Sequence, residues 1–366
     1  MKKIFVGQFV SKDESMLDKR ISQAGNNYQL KFVEMLSPNL SISMHPIFLR
    51  SKPKTIGIKE NVVIVNNQSF LPSSINKLYR LVFDTIKVLN IIKISKIKHI
   101  FFYNIDRQNI LPLYFTRFLL GKKVYLILAD YPYFENKSLF DRLANKIIQK
   151  IDGVITLNSN MKVNDNQQVL PGLLKADQIH RNTKQLINNN VLLSGSLGIT
   201  TGLELALETF SQRTDYNLFI TGRPYNYKET EFDQLIEYYT SRFYNIKYLG
   251  LLNYEQYLII LDKCDIALSL RNPIDEEHQF NFPSKILEYL SKSKLVISSI
   301  IYKDLPENFL FITDFNSQSL GSTLDKIKII DKDYVNRFKE NIYKYLHSEF
   351  TEAALQSICN KLIKND

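Results

Sequence analysis

Residues 264–299, CDIALSLRNPIDEEHQFNFPSKILEYLSKSKLVISS, restrict the possible folds more than any other stretch of the chain. A short continuous apolar run at 266–270 reads as a strand buried on both faces in a parallel sheet. A polar loop with Arg271, Asp275, Glu276 and Glu277 follows it. Pro283-Ser284-Lys285 then opens a helical pattern through Ile286, Leu287, Tyr289 and Leu290. Proline suits the first turn of a helix, and serine its cap. A second apolar run at 295–300 reads as the next strand. This strand, charged loop, helix, strand unit sets a helix N-terminus at the carboxyl edge of a parallel sheet. Its free N–H groups and partial positive charge make that corner an anion site, and Lys285 adds a full charge.

The rest of the chain repeats the alternation. Apolar runs at 3–10, 62–65, 100–103, 125–129 and 151–157 read as strands, with helical patterns at 21–36, 75–92 and 111–120 among them. Val169-Leu170 completes this half and Pro171-Gly172 marks its exit. Residues 174–189, polar and Asn-rich, read as a connection between domains. A second half begins with a strand at 191–193, then a loop, Ser194-Gly195-Ser196, and a helix over 203–210. A strand at 218–221 ending at Gly222-Arg223, the run Tyr248–Leu252 and a helix at 254–261 lead into the 264–299 unit. Few breakers interrupt the helical periodicity of 334–363, which predicts one long terminal helix. The fold class is therefore α/β, and 366 residues suffice for two domains with separate cores.

Composition narrows the chemistry. With 45% hydrophobic and 23% charged residues the chain is globular, and its net charge of +10 suits an anionic partner. Cys264 and Cys359 lie too far apart in pattern to imply a disulfide framework, so a reducing cytoplasm is expected. The basic start MKKIFVG meets charge too early for a signal peptide, and no segment approaches a membrane span. The five histidines show no metal-ligand spacing, so no metal is expected, and no Walker loop, nucleophile elbow or Gly-x-Gly-x-x-Gly is present. The many Tyr and Phe fall inside core-like runs, which argues for packing rather than nucleic-acid binding. Between 75 and 98, Lys77, Arg80, Lys87, Lys93, Lys96 and Lys98 accompany one acid, Asp84, with Arg117, Lys122 and Lys123 nearby. That pattern fits either peripheral attachment to an anionic membrane or a core-facing helix with a solvated face.

Arg271, Asp275-Glu276, Phe280, Phe282-Pro283-Ser284-Lys285 and Glu288-Tyr289-Leu290 resemble the nucleotide-sugar site of bacterial family-4 glycosyltransferases of exopolysaccharide and capsule synthesis. The resemblance implies a GT-B fold: two Rossmann-like domains facing a central cleft, with a C-terminal helix crossing back. On this chain it implies an acceptor domain over 1–175, a nucleotide-sugar domain over 190–335, and a helix over 336–366 packing back on the first. It implies a retaining transfer from a nucleotide-sugar co-substrate, with no further cofactor, to a lipid-linked glycan acceptor. The family carries two glutamates eight residues apart, one for the donor sugar and one for the ribose hydroxyls. Glu288 matches the second, whereas Phe280 occupies the place of the first, and Glu276 is where the Pro-Ser-Lys variant carries its acid. Pro283, Ser284 and Lys285 fall to the diphosphate, and Arg271 with Glu276 to the sugar or leaving-group side. The backbone after Gly250, around Leu252, falls to the base. The loop Ser194-Gly195-Ser196 lacks the family's Arg and Lys, so Gly195 and Ser196 offer only backbone and hydroxyl donors. The charge must then come from Lys285, Arg271 or Arg223, beside Gly222. On the acceptor side the resemblance points to Gly25 and Asn26, which also read as an ordinary helix start. Asp130, directly after a strand, reads as a donor-sugar contact or as the cap of the following turn. An inverting enzyme needs a base after a strand of the first domain. Asp130 alone qualifies, since His99 precedes a strand and His45 precedes a proline. A GT-B partner protein without transferase activity and a GT-B nucleotide-sugar epimerase are the alternative readings.

Overall fold

The computed structural model describes residues 2–18, 20–49, 53–57, 61–67, 73–129, 138–181, 188–275, 278 and 284–364. They form two compact units: Met1–Leu173 together with Glu352–Asp366, and Leu174–Thr351.

The first unit is built on β1 (Lys3–Gly7), β2 (Leu40–Met44), β3 (Val62–Val65), β4 (His99–Tyr103), β5 (Lys123–Leu128), β6 (Gly153–Thr156) and β7 (Gln167–Val169). All neighbouring pairs are parallel, in the order β3-β2-β1-β4-β5-β6-β7. Its helices include α1 (Lys12–Leu17), α2 (Gln23–Leu36), α3 (Ser73–Ser95), α4 (Ile110–Phe118) and α5 (Leu139–Lys150). In β4 and β5, HIFFY and KVYLIL, every residue after the first is buried, as expected of strands covered on both faces.

The second unit holds β8 (Asn190–Leu197), α6 (Leu203–Gln212), β9 (Asn217–Pro224), α7 (Glu229–Arg242), β10 (Ile246–Tyr248), α8 (Tyr254–Lys263), β11 (Ile266–Ser269), α9 (Ser284–Ser291), β12 (Leu295–Ser298), β13 (Phe311–Ile312), α10 (Ser317–Lys328) and α11 (Lys332–Glu349). Its sheet is again parallel, in the order β10-β9-β8-β11-β12-β13. Each sheet reverses its direction of winding once, between β1 and β4 and between β8 and β11. Crevices that take ligands open at the carboxyl ends of the strands at such points.

Two expectations need correction. Ser194-Gly195-Ser196 is not a loop: β8 runs on to Leu197 and pairs with an equally long β9, Gly195 opposite Gly222 and Ser196 opposite Arg223. The helix expected over 334–363 is two helices, α11 and α12 (Glu352–Lys364). No Gly or Pro marks the break. Phe350 leaves the helix at φ −123°, ψ 2°, and Thr351 turns its Oγ1 back to the His347 carbonyl at 2.8 Å. Only α12 belongs to the first unit. There Leu355, Cys359 and Leu362 join Phe5, Phe101 and Tyr125 in one apolar core. Gln356 links it further, donating to the Met35 and Leu36 carbonyls and accepting from Lys3 Nζ at 2.8 Å.

Candidate functional site

The carboxyl edge of the second sheet gathers the described residues of the expected donor site. Gly222 is required where β8 and β9 run together. Its φ is +149°, and a Cβ there would lie 1.9 Å from the Gly195 carbonyl oxygen. Gly222→Ala is therefore expected to cost about 1–3 kcal/mol in backbone strain. Thermal denaturation measures it, and an unchanged midpoint would mean that the two strand ends separate freely.

This close pairing carries Arg223 to one side of β8. Arg271, two residues past β11, stands on the other side. The main chain of Arg271 is fixed: its N–H donates to Ser299 Oγ at 2.7 Å and its carbonyl accepts from the same hydroxyl at 2.6 Å. Among the described residues, neither guanidinium has a hydrogen-bond or ion-pair partner. Two arginines without a partner among the described residues thus follow the strands on either side of β8 at the switch point.

α9 supplies the third side. Ser284, its first residue, is exposed. The N–H groups of its first turn lack intrahelical acceptors and favour an anion. Lys285 donates from Nζ to Glu288 Oε2 at 2.7 Å, one turn along. Tyr257 donates to the same oxygen at 3.0 Å, and its ring lies 3.9 Å beneath Lys285 Nζ. Burial, with Tyr289 and Glu288 adding to it, pushes the Tyr257 hydroxyl far above its ordinary pKa, so it stays a donor. Glu288 Oε1 carries no partner among the described residues. Tyr257 escaped the sequence reading because Tyr254-x-x-Tyr257 on a helix resembles ordinary packing. α8 is held in place by an Asn253–Gln256 capping box just beyond Leu252. Glu276 and Pro283 lie outside the described residues.

In the first unit Gly25 and Asn26 lie in the first turn of α2. Ser22 caps α2 and accepts from the Gly25 N–H at 3.1 Å. Asn26 is 2% exposed and spends its amide on Val10, accepting from its N–H at 2.9 Å and donating to its carbonyl at 3.2 Å. It fixes the segment after β1 and presents no polar group outward. Other side chains crowd this edge. Gln8 donates to Asp106 Oδ2 at 2.7 Å, while Asp106 Oδ1 accepts from the Gln108 and Asn109 N–H groups. Burial raises the pKa of Asp106 against these bonds. Asn104 accepts from the Ala129 N–H at 2.7 Å and so sets the exit of β5. Asp130 itself lies outside the described residues.

His45 requires a correction. It sits at the carboxyl end of β2, and its Nε2 is 3.4 Å from Glu14 Oε1. The proline after it does not remove it from the ligand-facing edge. It is 1% exposed, however, and burial lowers its pKa more than Glu14 raises it, so it is a buried neutral imidazole. Among the described residues no group of three or more His, Cys, Asp or Glu is placed to hold a metal ion.

No protein-family model matches the chain, and no curated protein matches it in sequence. Solved structures do match in shape. The HepE protein of Anabaena in complex with UDP aligns with a TM-score of 0.68 at 14% identity, over 100% of each chain. Sucrose-phosphate synthase from Thermosynechococcus elongatus gives 0.67 at 10% identity, also over 100% of each chain. A glycosyltransferase from Rickettsia africae gives 0.65 at 14%, covering 100% of this chain and 96% of that one. Identities this low speak for architecture alone. Two parallel, Rossmann-like sheets in this order, matched end to end, give the chain the GT-B glycosyltransferase fold.

Proposed function

We propose that the protein is a retaining glycosyltransferase. In this reading it moves a sugar from a nucleotide-sugar donor to a lipid-linked glycan at the cytoplasmic face of a membrane, in cell-surface polysaccharide synthesis. The supporting observation is that Arg223 and Arg271, whose guanidinium groups have no partner among the described residues, follow the strands on either side of β8 at the sheet edge where α9 begins, and that Glu288 Oε1 has no partner among the described residues either. Arg223, Arg271 and the first turn of α9 bind the diphosphate, and Lys285 turns from Glu288 toward it. Glu288 Oε1 accepts a ribose hydroxyl while Tyr257 holds Oε2. As the bond from the anomeric carbon to phosphate breaks, negative charge grows on the leaving diphosphate, where these fixed cations and N–H groups stabilise it. A leaving-phosphate oxygen takes the acceptor proton on the same face, which gives retention. Asp130 and Glu276 are assigned to the sugar and Leu252 to the base. With the charge carried by these groups, the reading assigns no metal.

The complexes of HepE with UDP and UDP-glucose make UDP-glucose the first donor to test. Calorimetric binding of UDP and UDP-glucose, release of UDP with a lipid-linked acceptor, and a retained anomeric centre by proton NMR are the expected results. An inverted centre would remove the retaining assignment. Residues 194–201 carry no Arg or Lys, which favours a second reading: a GT-B partner protein that binds nucleotide without transfer. Binding with no release of UDP on any lipid-linked acceptor would select it.

A further inference from the structure

α3 is built inside out. Its one acid–base pair faces the interior: Arg80 is 1% exposed and Asp84 0%, with Nε and Oδ2 3.6 Å apart. Arg80 also donates to the carbonyls of His45 at 2.7 Å and Ile47 at 3.2 Å, and Asp84 Oδ1 accepts from both nitrogens of Asn67. The opposite face is apolar and open. Ile75, Leu78, Val82, Phe83, Ile86 and Ile94 are all exposed, Leu78 at 65% and Ile94 at 79%. Spacings of three and four align most of them as one stripe along a 23-residue helix, about 34 Å long. α4 packs against α3 and exposes Tyr114 and Phe118 in turn, with Leu119 exposed just after it. Single exposed apolar side chains are ordinary, but Ile75, Leu78, Val82 and Ile86 follow one another over about three turns, with Phe83 beside them and Ile94 beyond Asn90, and a run of that kind is a contact surface.

The charges around the stripe identify what covers it. Lys77, Lys87 and Lys93, the other charged residues of α3, are exposed and positive, and Lys96 and Lys98 follow. The only acid of the segment is the buried Asp84. An apolar face with lysines around it is the signature of a helix lying in the plane of an anionic interface. A second protein would need acids set against each lysine, whereas an anionic bilayer supplies negative charge everywhere along the stripe. We infer that α3 and α4 form a membrane-docking face that inserts its apolar side chains into an anionic lipid surface. Arg80, read from the sequence as one of the attaching charges, is instead part of the helix's internal anchor. No helix of the described residues is long and apolar enough to cross the bilayer, so docking is in-plane. The inference deepens the transferase reading by naming the surface where the acceptor is met, but its test needs no sugar.

The full chain is floated with phosphatidylcholine vesicles, with and without phosphatidylglycerol. Binding to the anionic vesicles is expected. A rise from 0.1 to 0.5 M salt should reduce it several-fold without abolishing it, because screening acts on the lysines and not on the inserted side chains. The triple change Leu78→Gln, Val82→Gln, Ile86→Gln is expected to lower the bound fraction at least tenfold while leaving the melting temperature and UDP affinity unchanged. Lys77→Gln, Lys87→Gln, Lys93→Gln together should remove the preference for phosphatidylglycerol. Wild-type protein that does not float, or a triple glutamine variant that floats as well as wild type, would overturn the proposal. So would light scattering that shows a dimer the glutamine variant dissolves, since a second copy would then be the occupant. Loss of flotation with UDP binding intact, against loss of UDP binding with flotation intact, separates failure of this inference from failure of the donor site.

Discussion

Arg80→Ala is expected to destabilise the first unit by about 3–5 kcal/mol, because it strands the Asp84 carboxylate in a dry interior. Burial already works against both partners, pushing Asp84 upward and Arg80 downward from their ordinary pKa values. The pair persists because the other polar atoms are bonded, Arg80 Nη1 and Nη2 to the carbonyls after β2 and Asp84 Oδ1 to Asn67, while the facing Nε and Oδ2, 3.6 Å apart and without hydrogen bonds, have only each other's charge. Replacing both by leucine removes the charge and the need for compensation together, and should cost far less than the single change. Urea denaturation of the two variants makes the comparison. Equal losses would show that the guanidinium acts by filling space and not by neutralising Asp84. As the pair also fastens the chain at 45–49 to α3, the alanine variant should lose His45 and Gln108 packing with it, since both Arg80 and Gln108 donate to the His45 carbonyl.

Lys285→Ala is expected to weaken UDP binding by about 1.5–3 kcal/mol, or roughly ten- to 150-fold, the range of a charge-assisted hydrogen bond. Because Lys285 and Glu288 are bonded to one another, the two substitutions must be told apart by ligand. Loss of the lysine should leave uridine binding nearly unchanged, as no phosphate is present to miss it. Loss of the carboxylate in Glu288→Ala should weaken uridine and UDP alike. Lys285→Met keeps the stem over the Tyr257 ring and should behave as the alanine variant does. Titration calorimetry with both ligands reads the pattern. Full UDP affinity in the methionine variant would take the lysine charge out of the site.

The architecture was legible because parallel strands covered on both faces are continuous apolar runs, such as the HIFFY and KVYLIL of β4 and β5. β2, LSISM, escaped because two of its buried positions are serines, and Ser43 donates to the Phe9 carbonyl, which no pattern announces. α5 and α7 escaped because their polar positions outweigh a narrow buried stripe, Ala144, Ile147 and Ile148 in one and Phe232 and Ile236 in the other. At the site, Lys285 and Glu288 could be found because they share one helix turn with a start signal. The Tyr257 contact is long-range, 31 residues from Glu288, and depends on how α8 packs against α9. The setting of Arg223 likewise depends on the length of the β8–β9 ladder, a property of two strands that neither shows alone.

The division of the chain at 173/174 and 351/352 has a consequence for the order of events at the ribosome. The second unit is one uninterrupted stretch and can condense as soon as it has emerged. The first unit begins earlier but lacks Leu355, Cys359 and Leu362, whose places in its core stay open until α12 has been made. At ~5–20 residues per second, the nascent N-terminal sheet waits roughly ten to forty seconds while the whole second unit is translated. During that interval the face that α12 will cover is available to any apolar surface, so this half of the protein, though synthesised first, is the half that calls for a chaperone.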